Sequence, residues 1–405
     1  IAFLNGKKKQ VLKNLETEMS QYSKNSEFEK AQNIKQTIEK LFRLIWHISK
    51  CYYNKQMFKS LSKKIAIDLG SSKIRIVALD ELKNEVWELS PVDFKAKVLE
   101  EDACLARRKD NHKLLAIGKE ALEMQGRLDS FAEIVFPFYQ SRILDREAAA
   151  TLMKELLKKV FKGLVLNPSV MLTTTASATT LDRKILSQFF YELGFTRVNL
   201  IAAPLAAAIG AGIPVADASG TLFLQMGSSG SQFSAIALGS LLFNENSDFG
   251  GDRLNTEIIE HLSKTENFAI SLESAEILKK EVFSLVPSQK SKTITGKTTN
   301  GSNPLELKIK ASDLEPIADL FKLEYESLIN ALLSKLPPDL VADALQKGLL
   351  LSGGLAKING LEDFLSSKIS LPVALLDEPD LLASMGAVAM LKNIDLFSGS
   401  LSLDA

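Results

Sequence analysis

The sequence predicts an α/β protein of two similar lobes, preceded by an α-helical hairpin. Three features carry that expectation. From Lys64 onward, short apolar strands alternate with amphipathic helices, the pattern of mixed or parallel sheets covered by helices. Two strand–turn–strand units with small residues at the turn recur 157 positions apart, opening at Asp68 and Gln225. Residues 5–48 hold two apolar runs at helical spacing, joined by the polar turn Ser23-Lys24-Asn25-Ser26.

A chain of 405 residues has room for two or three compact units, and 46% apolar against 24% charged residues is the balance of an ordinary soluble globular protein. The net charge is zero, but residues 1–64 hold 14 Lys+Arg against 5 Asp+Glu, and the remainder carries the opposite surplus. A basic head on an acidic body suggests two parts with different partners. The Lys7-Lys8-Lys9 run is read as a solvated helix end, so no direct nucleic-acid binding is expected. Cys51 and Cys104 form no CxxC pair, and the three histidines, His47, His112 and His261, are scattered. This argues against a disulfide framework or metal centre and fits a reducing, cytoplasmic setting. There is no run of 18 apolar residues to span a membrane and no signal-peptide pattern. The start at Ile1 instead of Met is read as the mark of a fragment or processed product.

In the hairpin, Val11, Leu12, Leu15 and Met19 line the first helix. Phe28, Ala31, Ile34, Ile38, Leu41, Leu44 and Ile45 line the second, which Ser26 can cap. Alone this hairpin buries little, so it should dimerise, dock or bind a partner. Cys51–Gln56 is a linker. Strands are expected at Ile65–Gly70, Ile74–Leu79, Leu114–Ile117, Val170–Thr174, Val198–Ile201, Thr221–Met226, Phe233–Leu238 and Gly348–Ser352. Helices are expected at Arg146–Phe161, Leu181–Leu193, Leu205–Ala211, Leu254–Lys264, Leu272–Ser284, Ala311–Leu336 and Leu361–Ser367. Pro287–Pro304 reads as a hairpin or loop, and residues 397–405 as a flexible tail.

The chemistry concentrates in three turns. Asp68-Leu69-Gly70-Ser71-Ser72-Lys73 and Gln225-Met226-Gly227-Ser228-Ser229-Gly230-Ser231 place backbone N–H groups and hydroxyls where no bulky side chain blocks a phosphate. Singly, each is a common hairpin turn. As a pair, they suggest a duplicated fold with a phosphate between the lobes. The third, Leu349–Ala356, runs a buried strand into Gly353-Gly354, so that a flat ring or a phosphate can lie on backbone near a helix N-terminus.

In this order the units resemble the actin/Hsp70/sugar-kinase superfamily, and most closely its bacterial cell-shape branch, MreB, over about residues 57–396. Met57–Lys64 followed by Ile65–Gly70 resembles that family's N-terminus, and Ala116–Ala121 its "VG.EA" segment. Pro204–Val215 resembles its first connection between lobes. Gly250-Gly251-Asp252 with Leu254 and Glu257 resembles a helix start. Ser274-Ala275-Glu276 with Lys279 resembles the helix that contacts ribose and adenine. Ser352-Gly353-Gly354 with Gly360-Leu361 resembles the adenosine loop, and Met385-Gly386-Ala387 the closing helix.

The resemblance implies a two-lobed actin-like ATPase fold of duplicated RNase H-like cores, with lobe I at 57–203 and lobe II at 204–396. It implies ATP or ADP held by Ser71, Ser72, Lys73, Gly227, Ser228, Ser229, Gly230, Glu276, Lys279, Gly353 and Gly354, with Asp68 able to hold hydrated Mg²⁺. It also implies self-association into filaments, a membrane-associated shape complex and a place at the inner face of the membrane. Two departures bear on mechanism. Gln225 stands where the family carries Asp, and Ala203 precedes Pro204 where the family's Glu orients the attacking water. Losing both should cost on the order of 10²–10⁴ in hydrolysis rate, so a degenerate ATPase is expected. Ile67–Ile74 also resembles the pilus-assembly actin relatives, which stand as an alternative.

Residues 1–44 resemble the UVR hairpin region of the repair subunit UvrC, through Phe3–Lys7, Leu15, Met19, Ser23, Phe28–Ala31, Ile34 and Ile38. That resemblance implies a UvrB-like partner for residues 1–50 and a second function as an excision-repair adaptor with the body as scaffold. The other reading of the hairpin is a fusion remnant.

Overall fold

The structure, a computed structural model, describes residues 63–392 except 80–97, 162–164, 166, 300–303 and 370, together with scattered positions between Thr17 and Gln36. Contacts divide the chain into two units, Ile1–Ser62 and Lys63–Ala405. In the first, Thr17, Ser20 and Gln21 are helical, as are Glu29, Lys30, Gln32, Ile34, Lys35 and Gln36. These positions fall within the two expected helices. The turn between them, the linker Cys51–Gln56, the stretch from Met57 to Ser62 and the tail 397–405 lie outside the described residues.

The second unit opens with β1 (Lys64–Leu69), β2 (Lys73–Leu79) and β3 (Val98–Asp102). A small sheet follows, of β4 (Leu105–Arg108), β5 (Leu114–Ile117) and β6 (Ala132–Val135), with α1 (Gly118–Glu123) packed on it. Then come the hairpin β7 (Phe138–Tyr139) and β8 (Arg142–Ile143), α2 (Arg146–Val160), β9 (Ser169–Thr174), α3 (Thr180–Glu192) and β10 (Arg197–Ala202). The main sheet of this lobe runs β10-β9-β1-β2-β3, antiparallel through β1–β3 and parallel from β1 to β9 to β10.

Helix α4 (Ala203–Gly210) leads to β11 (Thr221–Met226), β12 (Ser231–Ala237), β13 (Ser240–Ser247), α5 (Gly251–Thr265), β14 (Phe268–Ala269) and α6 (Leu272–Glu281). The chain continues through β15 (Ser291–Thr298), β16 (Pro304–Lys310), α7 (Glu315–Leu333), α8 (Pro338–Lys347), β17 (Leu349–Ser352), α9 (Leu361–Ile369), β18 (Val373–Leu375) and α10 (Leu382–Lys392). The sheet order β13-β12-β11-β17-β18 repeats the first sheet, three antiparallel strands and then two joined in parallel. The duplication expected from two turns is thus written into the strand order.

Strand periodicity decides what faces the space between the sheets. In β1, Ile65, Ile67 and Leu69 pack under α2 and α3, while Ala66 faces the other way, and Asp68 shares its face. In β2, Ile74 and Ile76 join the outer core, which leaves Lys73, Arg75 and Val77 on the inner face. In β11, Leu222, Leu224 and Met226 enter the second lobe's core, so Phe223 and Gln225 face inward. A third core lies between the sheets. Ala66, Val77 and Met171 meet Phe223 and Ile236 there through Leu382, Val388 and Leu391 of α10. Helices α4 and α10 touch so closely that a Cβ on Gly386 would lie 1.7 Å from the Ala206 carbonyl oxygen. Only glycine allows that approach.

Several boundaries differ from the expectation for identifiable reasons. The stretch Ala311–Leu336 is not one helix: a 3₁₀ turn, Ala311–Leu314, precedes α7. Pro316 lacks an N–H and is tolerated only in a helix's first turn, so the α-helix restarts there. Proline also lets α4 begin at Ala203, two residues early, and opens the unanticipated α8. Pro287–Pro304 contains β15 and the start of β16, a hairpin.

Candidate functional site

Both small-residue turns open onto one cavity of about 710 Å³. Asp68, Ser71, Ser72, Lys73, Ala203, Gln225, Gly227, Ser228, Ser229, Gly230, Glu276, Lys279, Gly353 and Gly354 all line it. The turns also touch each other, Ser71 Oγ donating to Ser229 Oγ at 3.0 Å. A clasp that the sequence did not announce crosses the same gap. Gln140 donates from its backbone to Ser71 Oγ (3.1 Å) and from Nε2 to Ser229 O and Asp248 Oδ1 (both 2.9 Å). Gln140 and Ser141 form the two-residue turn between β7 and β8 with φ of 45° and 63°, the left-handed pair that a tight hairpin requires.

On the opposite wall, β17 runs into Gly353, at φ 90°, where a Cβ would lie 2.2 Å from the Met226 carbonyl oxygen. A Cβ on Gly354 would meet nothing within 4 Å, so this backbone lies open to the cavity. Asn255 Nδ2 donates to Glu276 Oε2 at 2.7 Å, and Lys279 Nζ bonds both Glu276 and the Gly251 carbonyl. Burial pushes the Glu276 carboxyl up, but the Lys279 charge and hydrogen bond, with Asn255 and Lys280, outweigh it and hold the group below the ordinary glutamate range. Burial raises the neighbouring Asp252 carboxyl, against the pull of Lys279.

Gln225 Oε1, Asn255 Oδ1 and Ser352 Oγ are buried without a partner in the protein. Buried polar atoms normally find one. Of these three only Gln225 lines the cavity, and its unmatched oxygen, an open glycine backbone and a lining of six Lys/Arg against five Asp/Glu suit a polyanion joined to a flat polar ring.

The floor holds a row of charges. Asp68, Arg75 and Glu100 are direct register neighbours on β1, β2 and β3. Arg75 Nε donates to Glu100 Oε2 at 2.8 Å, and its other nitrogens lie 3.6 Å from Asp68 Oδ2 and 3.7 Å from Asp380 Oδ2. Thr173 Oγ1 donates to Asp68 Oδ1 at 2.6 Å. Lys73 reaches Glu100 at 2.9 Å. Burial pushes the Glu100 carboxyl up, yet the Lys73 hydrogen bond and the Arg75 and Lys73 charges hold it below its ordinary range. In the second lobe the register-equivalent row is Gln225, Gln232 and Asn246, three neutral amides.

These residues do not fit a hydrated Mg²⁺. The Asp68 charge is already balanced by the Arg75 guanidinium at 3.6 Å and its Oδ1 accepts from Thr173, and the facing position offers the Gln225 amide. Nor does Ala203 present a group to orient water. Glu100, Glu276 and Asp380 each have a cation in contact, and burial disfavours the charged form of the remaining lining acid, Asp252.

Sequence reasoning missed Arg75, Glu100, Gln140, Thr173 and Asp380. A signal existed for Arg75 alone: it interrupts Ile74-Arg75-Ile76 on the face of Lys73. Gln140 and Asp380 reach the site through loops that no local pattern places.

Residues 62–399 match the family model described as MreB/Mbl protein, and residues 9–41 match that of the UvrB/uvrC motif. The cell shape-determining protein Mbl of Bacillus subtilis is 25% identical over 337 residues, covering 82% of this chain and 97% of that one. The structure of MreB 5 of Spiroplasma citri bound to AMPPNP superposes with a TM-score of 0.76 at 23% identity, covering 84% of this chain and 99% of that one. A MamK double helical filament superposes with a TM-score of 0.64 at 15% identity, covering 82% and 99%. The fold of the second unit is therefore actin-like.

Proposed function

Since this chain belongs to the MreB/Mbl family, we propose that it is a cytoskeletal protein that holds ATP or ADP between its lobes, forms filaments and helps set cell shape, with hydrolysis weak or absent. One observation carries the nucleotide reading: every residue that the family resemblance assigned to the ligand lines one cavity between the two turns. Self-association draws on the MamK relative, which is itself a filament, and cell shape on the name of Mbl. Weak turnover follows from Gln225 and Ala203, since phosphoryl transfer depends on positioned charge and an oriented water. Mg²⁺ is left out of this reading because Asp68 is already engaged. The place of action is cytoplasmic, at the inner membrane face in company with a shape complex. Among the described residues no helix is long and apolar enough to cross a membrane.

Titration calorimetry with ATP and ADP tests binding, phosphate release tests turnover, and electron microscopy with sedimentation tests assembly. No heat at high ligand concentration removes nucleotide from the account. Turnover matching an intact relative, abolished by Asp68→Ala, removes the degenerate-ATPase reading.

The UvrB/uvrC motif match favours a second reading, in which residues 1–50 recruit a UvrB-like protein to the actin-like body. Pull-down with the full chain and with a chain lacking residues 1–50 decides it, since equal capture by both removes the adaptor. The pilus-assembly alternative, carried by Ile67–Ile74, has far less chain behind it than the match across 62–399.

A further inference from the structure

We propose that the cleft takes its nucleotide without a divalent cation, Arg75 supplying from within the fold the positive charge that a hydrated metal would otherwise bring. This rests on the nucleotide reading above and specifies how the same site balances the phosphates.

Four observations support it. Arg75 is fixed on the inner face of β2 by strand periodicity, is 9% exposed, and lines the cavity. Its guanidinium offers five N–H donors suited to phosphate oxygens. The carboxylate that a metal's water shell would need, Asp68, already has its charge balanced by Arg75 and accepts a hydrogen bond from Thr173. The row facing it across the pseudo-symmetry, Gln225-Gln232-Asn246, contains no charge, and of the second lobe's acids on the cavity wall Glu276 and Asp380 are paired with Lys279 and Lys357 while burial disfavours the charged form of Asp252.

The network is also arranged so that Arg75 can turn to a phosphate without stranding its partners. Glu100 keeps Lys73 at 2.9 Å, and Asp380 keeps Lys357 at 2.8 Å. Asp68 keeps the Thr173 hydroxyl. Leaving a buried charge unpaired would otherwise oppose such a move.

The test is calorimetry on the full chain with ADP and with ATP, in excess MgCl₂ and in excess EDTA. Dissociation constants agreeing within about threefold between the two buffers are expected. A loss of about tenfold or more in EDTA overturns the proposal while leaving the nucleotide reading intact. No binding in either buffer overturns both. Arg75→Leu is expected to weaken binding about tenfold in EDTA and to regain part of it with MgCl₂, because Asp68 is then released. Arg75→Lys, which keeps the charge, should stay within about threefold of the parent. Wild-type affinity of Arg75→Leu in EDTA would exclude Arg75 as the cation. Circular dichroism checks that the variants fold, and if Arg75→Leu does not, the parent's two-buffer comparison still decides.

Discussion

The two lobes place chemically opposite rows at the same point of the same sheet. In the first, Asp68, Arg75 and Glu100 form a charged, mutually satisfied row, with Thr173 completing Asp68. In the second, Gln225, Gln232 and Asn246 are neutral, and Gln225 and its register partner on β17, Ser352, each keep a buried oxygen without a partner. Duplication preserved the backbone while the side chains diverged. The charged half carries its own electrostatic balance, whereas the amide half leaves the Gln225 oxygen, on the cavity wall, without a partner in the protein.

That contrast can be broken experimentally. The largest effect is expected from Arg75→Leu, which removes the charge-assisted hydrogen bond to Glu100 and the guanidinium charge shared with Asp68 and Asp380. A loss of about 3 kcal/mol in urea denaturation is predicted, against about 1 kcal/mol for Gln232→Leu, which removes one hydrogen bond, to the Ala176 amide. Equal costs would mean that the two rows differ in name only. Next, restoring the missing groups with Gln225→Asp and Ala203→Glu together should raise phosphate release on the order of 10²-fold. An unchanged rate would place the barrier elsewhere. Smaller is the paired test of the hydroxyls. Thr173→Val is expected to cost about 1.5 kcal/mol by depriving Asp68 of its donor, while Ser352→Ala should fall within about 0.5 kcal/mol of the parent, since it deletes an unmatched atom.

The smallest effect concerns acid. A carboxyl held below its ordinary range in the folded state adds stability that is present above that range and is lost as pH falls through it toward the folded value. Glu100 behaves this way, whereas the amide row does not titrate. Glu100→Gln should therefore flatten part of the decline in urea midpoint on acidification. A slope identical to the parent's would remove Glu100 as a contributor.

What was legible in the sequence followed from backbone demands and periodicity. The turns at Gly70–Lys73 and Gly227–Gly230, and the Gly353-Gly354 corner, could be found because small residues mark close approach whatever surrounds them. The strands β1, β2 and β11 were visible from their apolar alternation, and with them the inward faces of Asp68 and Gln225. The surroundings of Asp68 were not visible, because Thr173, which donates to it, arrives from a distant strand and Asp380, which shares Arg75 with it, from a loop. The Gln140 clasp was hidden for the same reason. α1 and α8 were overlooked because short helices opening at Gly118 and Pro338 carry little periodic signal.

The glycine-tight seam between α4 and α10 has a consequence for the order in which the protein can be made. α10 supplies Leu382, Val388 and Leu391 to the layer that covers Ala66, Val77 and Met171. A ribosome that has finished the first lobe therefore still exposes one greasy side of its sheet. At common elongation rates, roughly ten to forty seconds pass before residues 382–392 emerge to cover it. Hydrogen exchange on stalled nascent chains should find β1 and β9 unprotected until then, and protection before α10 is synthesised would refute this order. The last described helix is thus the keystone of the first sheet, and the growing chain needs shelter in the interval.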